Sequence, residues 1–126
     1  MLWWEIGSLV VVAVVVLAAE GAVRATFSNS GQLCISIERI YVEESIAPEF
    51  IRMFGDRVKK MNLAAGYEFG IEMGSLVSEA QVKAISAHVD DAVVKGATVI
   101  AGGKARPDIG PLFYEPTLLT GVPEDA

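Results

Sequence analysis

Residues 27–34 read Phe-Ser-Asn-Ser-Gly-Gln-Leu-Cys, and Cys34 is the only cysteine of the 126-residue chain. Upstream, apolar residues recur at near-helical spacing and predict a helix over 17–30, which Gly31 is well placed to end as a left-handed residue. Downstream, Ile, Tyr and Val dominate residues 37–43 and predict a strand. The octapeptide therefore connects a helix to a strand, and the single thiol lies in the connection.

The rest of the chain continues to alternate between helix and strand patterns. The predicted elements are a helix over 45–61, a helix over 79–95, a strand over 97–101 and a strand over 113–119. Ser45 and Ser78 are predicted to cap the two helices. Pro116 limits pairing in the last strand because proline has no N–H to donate. This alternation predicts the α/β fold class.

Composition excludes several function classes. The net charge is −6, the sequence pI is about 4.7, and no block of Lys or Arg is present. Nucleic acids need a basic footprint, so none is expected as a partner. One cysteine cannot form an internal disulfide, which is consistent with a cytoplasmic protein. One cysteine and one histidine, His88, far apart in the sequence, argue against a zinc site, and no metal ligand is assigned; a site built from carboxylates alone stays open in principle.

Residues 1–19 form an apolar segment that differs from the rest of the chain. Its uninterrupted apolar run, residues 9–19, is shorter than the roughly 20 residues of a membrane span, so a membrane partner is disfavoured. Six valines favour a buried strand over a helix because β-branched side chains suit strands. Two alternatives stay open: a membrane-inserting segment, and an unstructured or misframed end. We therefore expect a domain boundary between residues 1–19 and 20–126.

Four stretches carry a resemblance to a known family. They are residues 27–34 with the pattern Phe-x-Asn-x-Gly-Gln-x-Cys, residues 39–42 (Arg-Ile-Tyr-Val), residues 73–78 (Met-Gly-Ser-Leu-Val-Ser), and residues 96–103 followed by 113–118. In order and approximate spacing they resemble the aldehyde dehydrogenase superfamily. The residues around the cysteine look most like its succinate-semialdehyde branch.

The resemblance implies a partial aldehyde dehydrogenase catalytic domain over residues 20–126, with Cys34 as the catalytic nucleophile. In that family a cysteine thiolate adds to the aldehyde carbon, hydride passes to NAD or NADP, and water hydrolyses the resulting thioester. The general base of the family is a Glu in a Glu-Leu-Gly-Gly segment. The sequence Trp-Glu-Ile-Gly-Ser at residues 4–8 is a faint counterpart, which makes Glu5 the candidate base. No cofactor-binding residue can be assigned.

The resemblance also leaves the activity of this chain open. The family's nucleotide-binding domain, its oxyanion-hole Asn and its Glu-x-Phe-Gly-Pro motif have no counterpart in the sequence. The first interpretation is NAD(P)-dependent oxidation of a semialdehyde, such as succinate semialdehyde, to a carboxylic acid. The second is an inactive truncated remnant of such an enzyme, and the third is a small membrane-associated protein that is not an enzyme. The implied partners are a small aldehyde and, as in the family, further copies of the protein.

Overall fold

The computed structural model describes the backbone of residues 3–126 and the side chains of residues 11–126. The elements in chain order are α1 (Trp3–Phe27), a short 3-10 helix (Ser28–Gly31), α2 (Ala47–Lys59), α3 (Glu79–Val94), β1 (Thr98–Ala101) and β2 (Leu118–Thr120). Strands β1 and β2 pair antiparallel, with an irregularity between Val99 and Ala101. The described part of the chain thus combines helices and short strands, as the predicted α/β class requires, with the three α-helices preceding the two strands.

The prediction of a buried strand in the valine-rich segment is wrong, because α1 runs through it as one helix of 25 residues. The buried residues of α1 recur every four positions: Val15, Ala19, Val23 and Phe27. This spacing places them on one face of a helix. The helix-propensity penalty of valine is only about 0.5 kcal/mol per residue, and burial of this stripe outweighs it.

The main core lies between α1 and α2. Phe54 and Val58 are its most deeply buried side chains, at 2% and 1% exposure. The ring of Phe54 lies 6.3 Å from that of Phe27 and 5.6 Å from that of Phe50, both within the range of favourable tilted aromatic pairs. The predicted amphipathic helix is therefore confirmed, and its apolar face packs against α1.

A close backbone approach joins α2 to β1. Gly55 is buried, and a Cβ atom built at this position would lie only 2.7 Å from Cγ2 of Ile100. Any larger residue would therefore require the Ile100 side chain or the helix to shift. A second, smaller core forms where α3 packs on the C-terminal part of the chain, with Leu76, Val89 and Tyr114 buried together.

The predicted N-caps have different outcomes. Ser78 caps α3 as expected, since its hydroxyl accepts a hydrogen bond from the N–H of Gln81 at 3.2 Å. Ser45 does not cap α2, whose N-cap residue is Ile46. The Ser45 hydroxyl instead donates to the Glu43 carboxylate, which holds the turn that precedes the helix.

Two strand predictions need correction. Residues 37–43 are extended but belong to no strand of the described sheet, because no neighbouring strand pairs with them. The last strand is shorter than predicted and begins at Leu118 instead of residue 113. Pro116 cannot donate a hydrogen bond, and the Thr117 hydroxyl binds the N–H of Gly103 at 2.9 Å in place of a ladder bond.

The stretch Val11–Gly31 is long and apolar enough to cross a bilayer, with a mean hydropathy of 1.7. Core helices of water-soluble proteins and signal sequences meet the same criterion, so length and composition alone do not show a membrane span. Only 22% of the stretch is buried, because one stripe of α1 packs on α2 and the other faces are open. The open faces carry large apolar side chains, of which Leu17 is 71% exposed.

Candidate nucleophile loop around Cys34

The loop before Cys34 begins with three consecutive residues in the left-handed region. The φ angles are 51° at Asn29, 59° at Ser30 and 73° at Gly31. Asparagine and glycine tolerate this conformation, whereas serine adopts it at an energetic cost. Gly31 therefore has the positive φ expected of a helix-ending glycine, and the reversal begins two residues before it.

Gln32 stabilises this reversal from the other side. Its side-chain N–H donates to the carbonyl oxygen of Asn29 at 3.1 Å, and its backbone N–H donates to the same oxygen at 3.1 Å. The sequence indicated Gln32 only as part of the family-like octapeptide. It did not predict that Gln32 also holds a distant segment.

That distant segment is residues 74–77. The Gln32 carboxamide accepts from the N–H of Val77 at 2.8 Å and donates to the carbonyl of Ser75 at 3.3 Å. The Ser30 hydroxyl donates to the carbonyl of Gly74 at 3.0 Å. Three bonds therefore connect two of the family-like motifs that are more than 40 residues apart. No local sequence signal indicates this connection.

Cys34 lies in a tight turn that follows Gln32. The N–H of Ser36 donates to the carbonyl of Leu33 at 3.1 Å and closes the turn. The N–H of Ile37 then donates to the carbonyl of Ala25 at 3.1 Å, which fixes the chain to the end of α1. The thiol is free and exposed. Within the described residues, the backbone N–H groups of Cys34 and Ile35 have no hydrogen-bond acceptor.

Glu5, the candidate general base, belongs to the first turns of α1, and its side chain lies outside the described residues. Twenty residues of continuous helix separate it from Ala25, a distance of about 30 Å along the axis. The Cys34 turn is fixed beside Ala25. This separation gives no support for direct contact within one chain, so the role of Glu5 stays a prediction.

An ion-pair cluster fixes the loop that leads to residues 74–77. Arg57 on α2 pairs with Glu20 on α1 at 3.0 Å and also with Glu72. The Arg57 hydrogen bond lowers the pKa of Glu72, and the N–H of Asn62 adds to the effect. The same bond to Glu72 raises the pKa of Arg57. The cluster therefore links α1, α2 and the loop that Gln32 contacts.

The described residues offer few ligands for a metal or a cofactor. Among them, no group of three or more His, Cys, Asp or Glu side chains could hold a metal ion. A dinucleotide binds at the carboxyl ends of parallel strands, next to helix N-termini. The described sheet is a two-stranded antiparallel pair, so the described residues do not fit a nicotinamide dinucleotide.

Solved structures that match this arrangement include several aldehyde dehydrogenases. Succinate-semialdehyde dehydrogenase from Burkholderia pseudomallei matches with a TM-score of 0.82 and 38% identity, over 88% of this chain and 23% of that one. An aldehyde dehydrogenase from Physcomitrella patens, solved with the reaction product succinate, matches with a TM-score of 0.81 and 31% identity, over 87% and 22%. The aldehyde dehydrogenase family model matches residues 10–126. The chain belongs to the aldehyde dehydrogenase family.

Within the family, the similarity is to succinate-semialdehyde dehydrogenases. A protein of Mycobacterium tuberculosis that carries the name of an NADP(+)-dependent succinate-semialdehyde dehydrogenase is 70% identical over 104 residues, which are 82% of this chain and 20% of that protein. Succinate-semialdehyde dehydrogenase 1 of Schizosaccharomyces pombe, also named for NADP(+), is 38% identical over 81% of this chain and 20% of its own length. The chain thus spans about a fifth of the length of these relatives.

Proposed function

We propose that Cys34 is the nucleophile that adds to an aldehyde, and that the chain is the nucleophile-bearing part of a semialdehyde dehydrogenase. The observation that carries the proposal is the Cys34 turn. It presents an exposed thiol beside two free backbone N–H groups, in a loop held by Gln32 and Ser30.

The chemistry of the first step follows from these groups. The thiolate attacks the carbonyl carbon, a C–S bond forms, and the carbonyl oxygen becomes an oxyanion that takes a proton to give a thiohemiacetal. Free N–H groups beside the sulfur are suited to bind that oxyanion, because preorganised donors stabilise developing charge. The Gln32 bonds to residues 75–77 keep these donors in place. Cys34 reacts and Gln32 positions the loop.

The oxidation step needs a hydride acceptor, which in the relatives named above is NADP(+). The described residues do not fit a dinucleotide, so no hydride-transfer step is assigned to them. The second interpretation, an inactive truncated remnant of such an enzyme, stays a prediction. The two candidates predict the same covalent chemistry at Cys34 and differ in the formation of reduced cofactor.

The proposed substrate class is a semialdehyde, with succinate semialdehyde first. Support comes from the names of the relatives and from the succinate bound in the Physcomitrella enzyme. NADP is the proposed cofactor of the complete enzyme and NAD the alternative, since an NAD+ complex is known for the related enzyme of Bacillus cereus. A cytoplasmic location is part of the same proposal.

Protection of Cys34 from alkylation tests the proposal. Because the chain has one cysteine, the mass gained from iodoacetamide reports Cys34 alone. Millimolar succinate semialdehyde should slow this alkylation several-fold, since the thiohemiacetal has no free thiolate. Butyraldehyde, which lacks the carboxylate, should protect less. Formation of NADPH from NADP(+), followed at 340 nm in the same samples, separates the complete activity from the remnant.

Matched variants make the result specific. Cys34→Ser should gain no mass, and Gln32→Ala should weaken the protection while Cys34 remains alkylatable. Equal alkylation rates with and without aldehyde would show that Cys34 is not the nucleophile.

Glu5→Gln tests the candidate base in the same assay. If Cys34 is alkylated at pH 7 as fast in Glu5→Gln as in the wild type, Glu5 does not activate the thiol.

A further inference from the structure

Arg57 joins the two parts of the chain that meet at the nucleophile loop (residues 28–36). From α2, its Nε–H donates to both carboxylate oxygens of Glu20 on α1, at 3.0 and 3.2 Å, and its Nη2 donates to the carboxylate of Glu72 in the loop after α2. The Arg57 side chain is only 26% exposed, so most of it is shielded from solvent. One planar guanidinium group therefore connects three parts of the fold in a fixed geometry.

On the loop side, the contact continues into the segment that holds the nucleophile loop. The Glu72 carboxylate also accepts from the N–H of Asn62 at 3.0 Å, and the N–H groups of Glu72 and Met73 donate to the carbonyl of Asn62 at 2.9 and 3.3 Å. Met73 is buried in the main core. The next residue, Gly74, accepts the hydroxyl hydrogen bond of Ser30. Glu72 is therefore fixed directly beside the segment that contacts the nucleophile loop.

On the helix side, Glu20 lies on the element that carries the same loop. About two helical turns, roughly 10 Å, separate Glu20 from Phe27, the last residue of α1. Within this stretch, the carbonyl of Ala25 accepts from the N–H of Ile37 and fixes the chain that follows the Cys34 turn. Both ends of the nucleophile loop are therefore attached to the part of α1 that Glu20 anchors.

No other ion pair among the described side chains makes this connection. Arg52 pairs with Glu49 and Asp56, which lie on its own helix, and its side chain is 58% exposed. The remaining pairs lie at the end of α3 and in the C-terminal part of the chain. Within the described residues, Arg57 is thus the one charged group that bonds to both α1 and the loop after α2.

We propose, on the basis of the proposed nucleophilic role of Cys34, that Arg57 is a positioning residue for it. Arg57 keeps α1 and residues 72–77 in the relative position in which Gln32 and Ser30 hold the Cys34 turn. Its guanidinium group bonds to carboxylates and not to the thiol. It therefore acts by keeping the sulfur and the free N–H groups of the turn in the geometry that the oxyanion requires.

Arg57→Met tests the proposal, because methionine retains side-chain bulk and removes every donor. The readout is the concentration of succinate semialdehyde that halves the rate of Cys34 alkylation by iodoacetamide, in variants that circular dichroism shows to be folded. This concentration should rise about threefold or more, as expected when a residue along a chain of contacts is removed. The alkylation rate without aldehyde should change little, because the thiol stays exposed. Arg52→Met removes a guanidinium group from the same helix and should leave the half-protecting concentration unchanged.

Arg57→Lys is the second variant and decides the question if Arg57→Met does not fold. Lysine keeps the positive charge but has one nitrogen in place of the planar fork, so it does not hold both carboxylates in the same geometry. Its half-protecting concentration should lie above that of the wild type and below that of Arg57→Met. A wild-type value in Arg57→Lys would contradict positioning by the guanidinium group.

A double-mutant cycle with Gln32→Ala shows whether Arg57 acts through the loop. The Gln32 carboxamide contacts Ser75 and Val77 and is the last step between Arg57 and the turn. Arg57→Met should therefore weaken aldehyde protection clearly less in the Gln32→Ala background than in the wild type. Additive effects of the two substitutions would contradict the proposal.

Hydrogen exchange at the Val77 amide distinguishes failure of this proposal from failure of the proposed function. This N–H donates to Gln32 at 2.8 Å, and its exchange is measured without aldehyde. Exchange should be about threefold or more faster in Arg57→Met than in Arg52→Met, whereas the Val89 amide on α3 should exchange equally in both. If aldehyde does not protect wild-type Cys34, the nucleophile proposal fails and Val77 exchange still tests Arg57. Equal Val77 exchange in the two variants, or an equal acceleration at Val77 and Val89, would overturn the positioning role.

Discussion

At the scale of single residues, Gln32 holds the nucleophile loop through hydrogen bonds to residues near it and far from it in the sequence. It contacts the carbonyl of Asn29, the carbonyl of Ser75 and the N–H of Val77, so one side chain joins both ends of the candidate site. The sequence identifies Gln32 as part of a family-like octapeptide. Two of its three partners, Ser75 and Val77, lie over 40 residues away, and only the folded chain reveals them.

We predict that Gln32→Ala destabilises the fold by about 1–2 kcal/mol, since each net hydrogen bond contributes about 0.5–1.5 kcal/mol. Urea unfolding followed by circular dichroism measures the change. Hydrogen exchange at the Val77 amide should speed up in parallel, because that N–H loses its acceptor. Gln81→Ala on α3 is the control, since its side chain has no hydrogen bond in the described part of the chain. Equal effects of the two variants would contradict the bridging role.

At the scale of elements, α1 shows how packing overrides local propensity. The valine run favours a strand by composition, whereas its buried positions follow the spacing of a helix. Val23 is 3% exposed and faces α2, and Val14 on the same helix is 59% exposed. These two valines allow the same substitution to be compared on opposite faces of one element.

Val23→Ala should cost about 2–3 kcal/mol, from roughly 0.8 kcal/mol per buried methylene equivalent together with the cavity left behind. Val14→Ala should be neutral or stabilising by up to about 0.5 kcal/mol, because alanine is the better helix former. Thermal or urea unfolding of both variants gives the comparison. A larger loss at Val14 than at Val23 would mean that α1 buries a different face.

Two extended segments, residues 37–43 and 98–101, show that the composition of a strand is not sufficient to form one. Residues 37–43 have the composition of a strand, yet a strand exists only when a neighbour completes its hydrogen bonds. Residues 98–101 find that neighbour in residues 118–120, and residues 37–43 find none in the described chain.

At the scale of the whole molecule, the Arg57 cluster ties α1, α2 and the loop after α2 into one unit. The pKa of Glu72 is lower in the folded chain than its ordinary value of 4.5, first because Arg57 donates a hydrogen bond to it. A carboxyl group with a lowered folded pKa binds protons more readily when unfolded. Its contribution to stability is therefore complete above about pH 4.5 and is lost as the pH falls through the folded pKa.

We therefore expect the free energy of unfolding to fall as the pH is lowered below about 4.5. Glu72→Gln should lower stability at neutral pH and make the pH dependence in this acidic range shallower. Urea unfolding at a series of pH values from neutral to acidic measures both effects. Glu79→Gln, which changes an exposed carboxyl on α3, should leave the slope nearly unchanged. An identical slope in the wild type and Glu72→Gln would exclude Glu72 as its source.

The sequence by itself determined the family, the nucleophile candidate and most helices. These rest on local information: the Phe-x-Asn-x-Gly-Gln-x-Cys pattern, the amphipathic spacing of α2, the Ser78 cap and the positive φ of Gly31. Local patterns report which conformations a segment tolerates and which chemistry its side chains can perform.

Only the tertiary structure decided the state of the valine run, the partners of Gln32 and Ser30, and the unpaired condition of residues 37–43. Each depends on what lies opposite a segment in space: a helix face for Val23, a loop for Gln32 and, within the described residues, no strand for Ile40. Helix propensities differ by only tenths of a kcal/mol per residue, whereas burial of one side chain contributes a few kcal/mol. Contacts between segments that are distant in the sequence therefore determined these conformations.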